Sequence, residues 1–266
     1  MKPYDWSGDE AATALDPAAS PASAGIPGLL ASRDAGEFLA RSAAGKALLH
    51  EVADALSGHR AGAAFDLTGL GPDDLTLVEQ VLGEGEVAIL IDGGEELRIQ
   101  ESVMAGLWRV RGGVSDRIEI ADVPTEVRRA ALERTAAELP IGEAPEGAMN
   151  VMPVLAEIRD RMRIYRAGDE NHIINFTLLP MNEVDMAFLQ RSLGMGPVRM
   201  LSRGYGTCRI TATARRHVWS VQYLNSMETV ILDTLEIGDV PVAARAAKED
   251  IEDSAMRLRD ILEAYL

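Results

Sequence analysis

Residues 75–90, LTLVEQVLGEGEVAIL, can be written over residues 186–201, MAFLQRSLGMGPVRML, at an offset of 111 positions, and this limits the fold more than anything else in the chain. The offset runs without a gap from Phe65–Arg111 to Phe176–Gln222. Of those 47 positions 13 are identical, where ordinary residue frequencies would give about three by chance. Leu82, Gly83, Gly85 and Val87 meet Leu193, Gly194, Gly196 and Val198, and Trp108 and Val110 meet Trp219 and Val221. Downstream, IEIADVP (118–124) matches LEIGDVP (235–241) after an insertion of six residues; upstream, LLHEVADAL from Leu48 matches VLAEIRDRM from Val154. The chain reads as a duplication, so whatever one copy folds into, the other repeats.

Each copy reads as one supersecondary unit. Leu48–Leu56 and Val154–Met162 carry apolar residues at helical spacing. A short strand follows, AAFDL or IINFTLL, and GPDD or PMNEVD then supplies helix-start chemistry. Each second helix stops at a Leu-Gly pair, glycine being suited to the residue after a helix. EVAILID, EELRIQE, GLWRV and RIEIA read as strands, and the glycine pair at Gly93 suits a hairpin. A last helix is expected to open near Pro124 in the first copy and near Pro241 in the second. The pattern α-β-α-β-β-β-β-α, twice, predicts an α+β fold with a mainly antiparallel sheet and pseudo-twofold symmetry. Expected domains are a flexible tail over 1–25, a first repeat over 26–140 and a second over 151–266, with Leu139–Asn150 as the connection.

Composition removes several function classes. One cysteine and four histidines, with no ligand spacing among them, predict no resident metal or other cofactor. The longest apolar run, VAILI, is far short of the roughly 20 residues of a membrane span. The acidic N-terminus lacks a secretory apolar core, so the expected location is the cytoplasm. A net charge of −16 repels nucleic acid and anionic membranes. No phosphate-cradling glycine motif, serine nucleophile elbow or paired cysteine and histidine occurs, which predicts a protein that is not an enzyme. KEDIED, residues 248–253, reads as the solvated face of the last helix, with Ile251 and Leu258 inward.

The candidate site is the stretch Gly204–Met227, GYGTCRITATARRHVWSVQYLNSM. The window Met186–Met227 holds six arginines and no acid, whereas its equivalent, Leu75–Asp116, holds eight acids and three arginines. Arg203, Arg209, Arg215, Arg216 and His217 are therefore candidates for a surface that docks an acidic partner segment. The competing reading is that the two faces pair with each other, or with those of a second copy in a homodimer. Cys208 stands where the first copy has Leu97, which favours a buried, inert thiol over a reactive one. Trp219 repeats Trp108 and reads as core; His217 replaces Gly106 and stands outside the shared pattern.

The same stretch continued to GDVP, followed by AAKEDIEDSAMRLRDIL, resembles the C-terminal region of the HupH, HyaF and HoxQ group of NiFe-hydrogenase accessory proteins. VLGEGEV, GLWRVR and NVMPVLAEI carry the same resemblance, which extends from about Ala47 to Leu266. It implies a cytoplasmic chaperone for the iron–sulfur small subunit precursor before export, working with other hydrogenase accessory proteins. In that picture the acidic first copy holds a basic signal segment and the basic second copy holds the subunit body. The alternative is a factor for iron–sulfur cluster assembly or repair, with Cys208 as a transient ligand; one thiol is a poor scaffold, since clusters generally want four thiolates.

Overall fold

A computed structural model describes residues 35–204 and 206–266. The tail expected over 1–25, the first residues of the repeat expected over 26–140, and Tyr205 lie outside the described residues. The elements in chain order are α1 (Ala35–Arg41), α2 (Ala43–Ser57), β1 (Ala64–Asp66), α3 (Pro72–Leu82), β2 (Val87–Ile91), β3 (Leu97–Glu101), β4 (Leu107–Gly112), β5 (Ser115–Ile120) and α4 (Thr125–Glu133). They continue with α5 (Val151–Ile164), β6 (His172–Asn175), α6 (Glu183–Leu193), β7 (Met195–Ser202), β8 (Thr207–Thr213), β9 (Val218–Leu224), β10 (Val230–Ile237) and α7 (Lys248–Tyr265). The fold is α+β with a large, mainly antiparallel sheet, in strand order β1-β5-β4-β3-β2-β7-β8-β9-β10-β6.

Local chemistry explains the positions that match at the 111-residue offset. Asn182 caps α6: its side chain accepts the Asp185 N–H at 2.8 Å, and Asp185 Oδ2 accepts the Asn182 N–H at 3.1 Å. At α3 the cap position is Gly71, so only the return bond exists, from Gly71 N–H to Asp74 Oδ2 at 3.3 Å. Pro72 opens that helix, where its missing N–H costs nothing. Asp185 is fully buried; its Oδ1 also accepts the N–H groups of Met149, Asn150 and Val151 at 2.8, 3.1 and 3.1 Å, tying the start of α5 to the start of α6. Asp74 does the same for α2 through Gly45 N–H at 2.7 Å. Both second helices end on a glycine at positive φ, Gly83 at 57° and Gly194 at 65°. Two residues on, a Cβ at Gly85 would collide with the Ser102 carbonyl oxygen, and one at Gly196 with that of Thr213.

By packing, the described residues form two compact units, one of 35–88, Glu95–Thr125 and Arg245–Leu266, the other of Ile89–Gly94 and Glu126–Ala244. The first unit centres on Leu49, Leu56, Leu77, Leu107, Ile118 and Leu258, each at most 1% exposed, and each contributing ~2 kcal/mol by burial. The second centres on Leu155, Ile158, Leu189, Leu193, Val218 and Leu235.

One expectation is corrected, and the compact units follow contacts rather than chain order. Pro241 opens only a 3-10 turn, Val242–Ala244; the long helix begins at Lys248, after Ala246 has donated its N–H to the Asp122 carbonyl at 2.8 Å. The linear division at 139–150 does not separate the compact units. α7 packs with α2, burying Ala255, Leu258 and Leu262 there, whereas α4 belongs with the later residues through Arg128, whose guanidinium grips Asp239 at 2.9–3.2 Å. α4 and α7 are thus exchanged, each belonging to a different unit from the strands that precede it in the chain.

Candidate partner-binding face

The stretch singled out by its charge lies on β8, β9 and the turns flanking them, within one compact unit. Cys208 on β8 is 4% exposed and paired in register with Tyr223 of β9. Burial pushes its thiol up to about 12, and the Tyr223 hydroxyl only partly offsets that. A thiol held this far above neutral is neither a nucleophile nor a ready metal ligand. Trp219 is 2% exposed, as a core residue should be.

The arginines separate into two kinds. Arg215 donates from Nε to the Ser192 carbonyl at 2.9 Å, one of the open carbonyls at the end of α6, and from Nη1 to the Glu138 carbonyl at 3.3 Å. Arg216 reaches the Thr135 carbonyl at 3.4 Å. Backbone bonds from Ala136 to Ala214 and from Arg216 to Ala136, at 2.9 and 2.8 Å, strap residues 135–138 to the same place. Both side chains hold the chain together locally. Arg199 is paired with Asp92, so one cation of the basic window is neutralised by an acid of the acidic one. Arg203, at the β7–β8 hairpin, is exposed. Arg209 is half-buried and pairs loosely with Glu228, 3.9 Å away and 83% exposed.

His217 takes a backbone conformation that the aligned residue, Gly106, reaches more easily: φ is 65° at His217 and 83° at Gly106. Its ring lies against Tyr165, centroids 4.7 Å apart. Burial, reinforced by Arg216, pushes its imidazole below the ordinary range. It is placed as a neutral packing group.

Among the described residues no three His, Cys, Asp or Glu side chains come together as a metal site would require. No helix among them is long and apolar enough to cross a membrane. Sequence reasoning missed Gln190 and Asp233, two polar side chains buried in the same unit. The signal that could have found them is the offset itself, which sets Gln190 against Glu79 and Ser220 against Arg109.

Comparison with known proteins gives one consistent answer. The family model for the HupH hydrogenase expression protein, C-terminal conserved region, matches residues 43–139 and 148–265. The hydrogenase expression/formation protein HupH of Rhizobium leguminosarum bv. viciae is 51% identical over 247 residues, 89% of this chain and 87% of that one. HoxQ of Azotobacter vinelandii, of the same description, is 47% identical over 82% of this chain and 81% of its own. The hydrogenase-1 operon protein HyaF of Escherichia coli K12 is 34% identical over 75% and 72%. A solved structure of hydrogenase expression protein HupH from Thiobacillus denitrificans aligns with 43% of this chain and 94% of its own, at 24% identity and a TM-score of 0.38. With similarity on this scale across nearly all of the described residues, the chain belongs to the HupH hydrogenase expression protein family.

Proposed function

We propose that this chain acts in hydrogenase maturation as a non-enzymatic chaperone that holds the iron–sulfur small subunit precursor in the cytoplasm, alongside other accessory proteins. The observation that carries the proposal is similarity over most of the chain to proteins named for hydrogenase expression and formation. The duplication belongs to the same reading. α3 and α6 are both eleven residues long and 111 positions apart, and strand registers coincide under the offset: Arg111 faces Asp116 as Gln222 faces Asp233.

Within the face first read from charge, Arg203 and Arg209 are the residues proposed to meet the partner, Arg203 by its exposure at the β7–β8 hairpin and Arg209 by its place on the strand that leaves it. Arg215, Arg216 and His217 are proposed to position that face, since their polar groups and ring are engaged within the fold. The cluster-assembly alternative needs Cys208 as a thiolate, and burial opposes that.

Co-purification of the tagged full chain with the small subunit precursor, comparing wild type with Arg203→Glu/Arg209→Glu, tests this. Recovery with wild type and loss in the variant is the expected result. Equal recovery moves the partner to another face, and no recovery with wild type overturns the chaperone reading. Cys208→Ala should support hydrogenase maturation in full; failure of a folded Cys208→Ala protein would favour the cluster alternative.

A further inference from the structure

In the unit containing α3, β4 and β5, an ion cluster closes over the helix-covered face of the sheet. Arg109 grips Asp116 with two bonds, Nε to Oδ1 at 2.9 Å and Nη2 to Oδ2 at 2.7 Å, and Nη1 bonds Glu79 Oε1. Arg111 donates to the same Glu79 oxygen at 3.2 Å. This is a guanidinium seated between two carboxylates, the strong bidentate geometry of arginine.

The other unit has the same frame without the guanidinium. Under the offset Glu79 becomes Gln190, Arg109 becomes Ser220 and Arg111 becomes Gln222, and across the six-residue insertion Asp116 becomes Asp233. Registers are preserved: Gln100 faces Arg109 as Thr211 faces Ser220, and Arg109 faces Ile118 as Ser220 faces Leu235. Replacing arginine by serine removes the charge and most of the side chain. Acceptors remain, buried: Gln190 is 5% and Asp233 8% exposed, and the acceptors Gln190 Oε1 and Asp233 Oδ1, like the donor Gln190 Nε2, have no hydrogen-bond partner. Each such unmet buried polar atom is costly to a fold.

We propose that Gln190, Ser220, Gln222 and Asp233 form a socket for the guanidinium of an arginine side chain presented by a partner polypeptide, in the place that Arg109 fills in the other unit. Arginine fits better than lysine because a planar fork can bond a carboxylate and a neighbouring amide oxygen together, which a point charge cannot. The surroundings suit a segment with apolar neighbours. Asp233 N–H is held by the Thr177 hydroxyl at 3.1 Å, and the adjacent Leu178 is 82% exposed, as is Ile231 at 59%. Burial raises the Asp233 carboxyl to about 6, against a counteracting bond from Gln222, and an arriving cation would draw it back down toward the ordinary carboxylate range.

The test is titration of the full chain with N-acetyl-arginine methylamide, read as the melting midpoint. N-acetyl-lysine methylamide is the control, and Asp233→Asn and Ser220→Arg are the variants. The expected result is a saturable rise with the arginine probe, at least about threefold smaller with the lysine probe, and absent in both variants. Ser220→Arg supplies the guanidinium in cis and should melt no lower than wild type. If that variant fails to fold, the isosteric Asp233→Asn decides. Equal responses to the two probes, a response that survives Asp233→Asn, or no response in wild type, as for a socket holding water alone, would each overturn the proposal. The probes are small molecules, so the outcome does not depend on the hydrogenase reading.

Discussion

Replacing Asp185 by alanine is expected to be the most damaging single polar substitution in the chain. Its carboxylate accepts four backbone N–H groups, from Met149, Asn150, Val151 and Asn182, and the side chain is wholly buried. Hydrogen bonds to a charged group contribute about 1.5–3 kcal/mol each when nothing replaces them. Only the bond from Val151 is buried throughout; the other donors lie nearer the surface and can regain water. Counting one bond at full weight and the rest at a fraction gives a loss of about 3–5 kcal/mol. Asp74 holds two such donors, Gly45 at 2.7 Å and Gly71 at 3.3 Å, so Asp74→Ala should cost roughly 2 kcal/mol. Urea unfolding at pH 7, followed by circular dichroism, measures both. Burial pushes the Asp185 carboxyl up, but the four N–H groups outweigh it and its net position is below the ordinary range. Its contribution is therefore present above the unfolded value, about 3.9, and fades as pH falls through the lower folded value. The advantage of wild type over Asp185→Asn should shrink accordingly. A loss below about 1 kcal/mol for Asp185→Ala, or a larger loss for Asp74→Ala, would refute the reasoning.

Further expectations concern other positions. Cys208 should react with a thiol reagent at pH 8 only as fast as the chain opens, because its thiol lies near 12; stoichiometric labelling within seconds in the native state would contradict its burial. Glu101, whose aligned residue is Ala212, is raised to about 7 mainly by burial, with Glu86 and Asp250 adding repulsion. An acid raised by folding costs stability as pH climbs from its unfolded value, about 4.3, to the folded one. Glu101→Gln should therefore gain roughly 3–4 kcal/mol over wild type at pH 8 and almost nothing at pH 4; equal gains at both would dismiss the charge. Gly85→Ala and Gly196→Ala should each lose about 1–3 kcal/mol, since the new methyl meets a strand carbonyl. Thermal unfolding showing either variant neutral would mean that the strand can shift to admit it.

Element order was legible because two stretches of the chain match at a fixed offset, so that a weak strand such as AAFDL is supported by the equivalent segment IINFTLL. Helix starts were legible from capping chemistry at Asp74 and Asp185. The exchange of α4 and α7 was not, because where a terminal helix packs depends on the turn that leads into it, here the 3-10 turn after Pro241, and not on the helix's own pattern. At the candidate site, charge counting identified arginines without distinguishing their uses. Arg215 looks in sequence like any other arginine of the window, yet its guanidinium is spent on the carbonyls of Ser192, at the end of α6, and Glu138. Gln190 and Asp233 escaped notice because a polar residue in an amphipathic segment reads as solvent-facing until the register shows it buried.

The exchanged helices also set an order of events during synthesis. Leu49, Leu56, Leu77 and Leu107 leave the ribosome early, but their core is completed by Leu258 and Leu262 of α7. About 140 residues separate the end of β5 from the end of α7, on the order of ten seconds of elongation. Through that interval the nascent first half exposes the apolar surface that α7 will cover. The core that holds Leu49 is begun before that of the other unit and completed after it, so until α7 is made its apolar surface stays open to wrong contacts or to a cellular holdase.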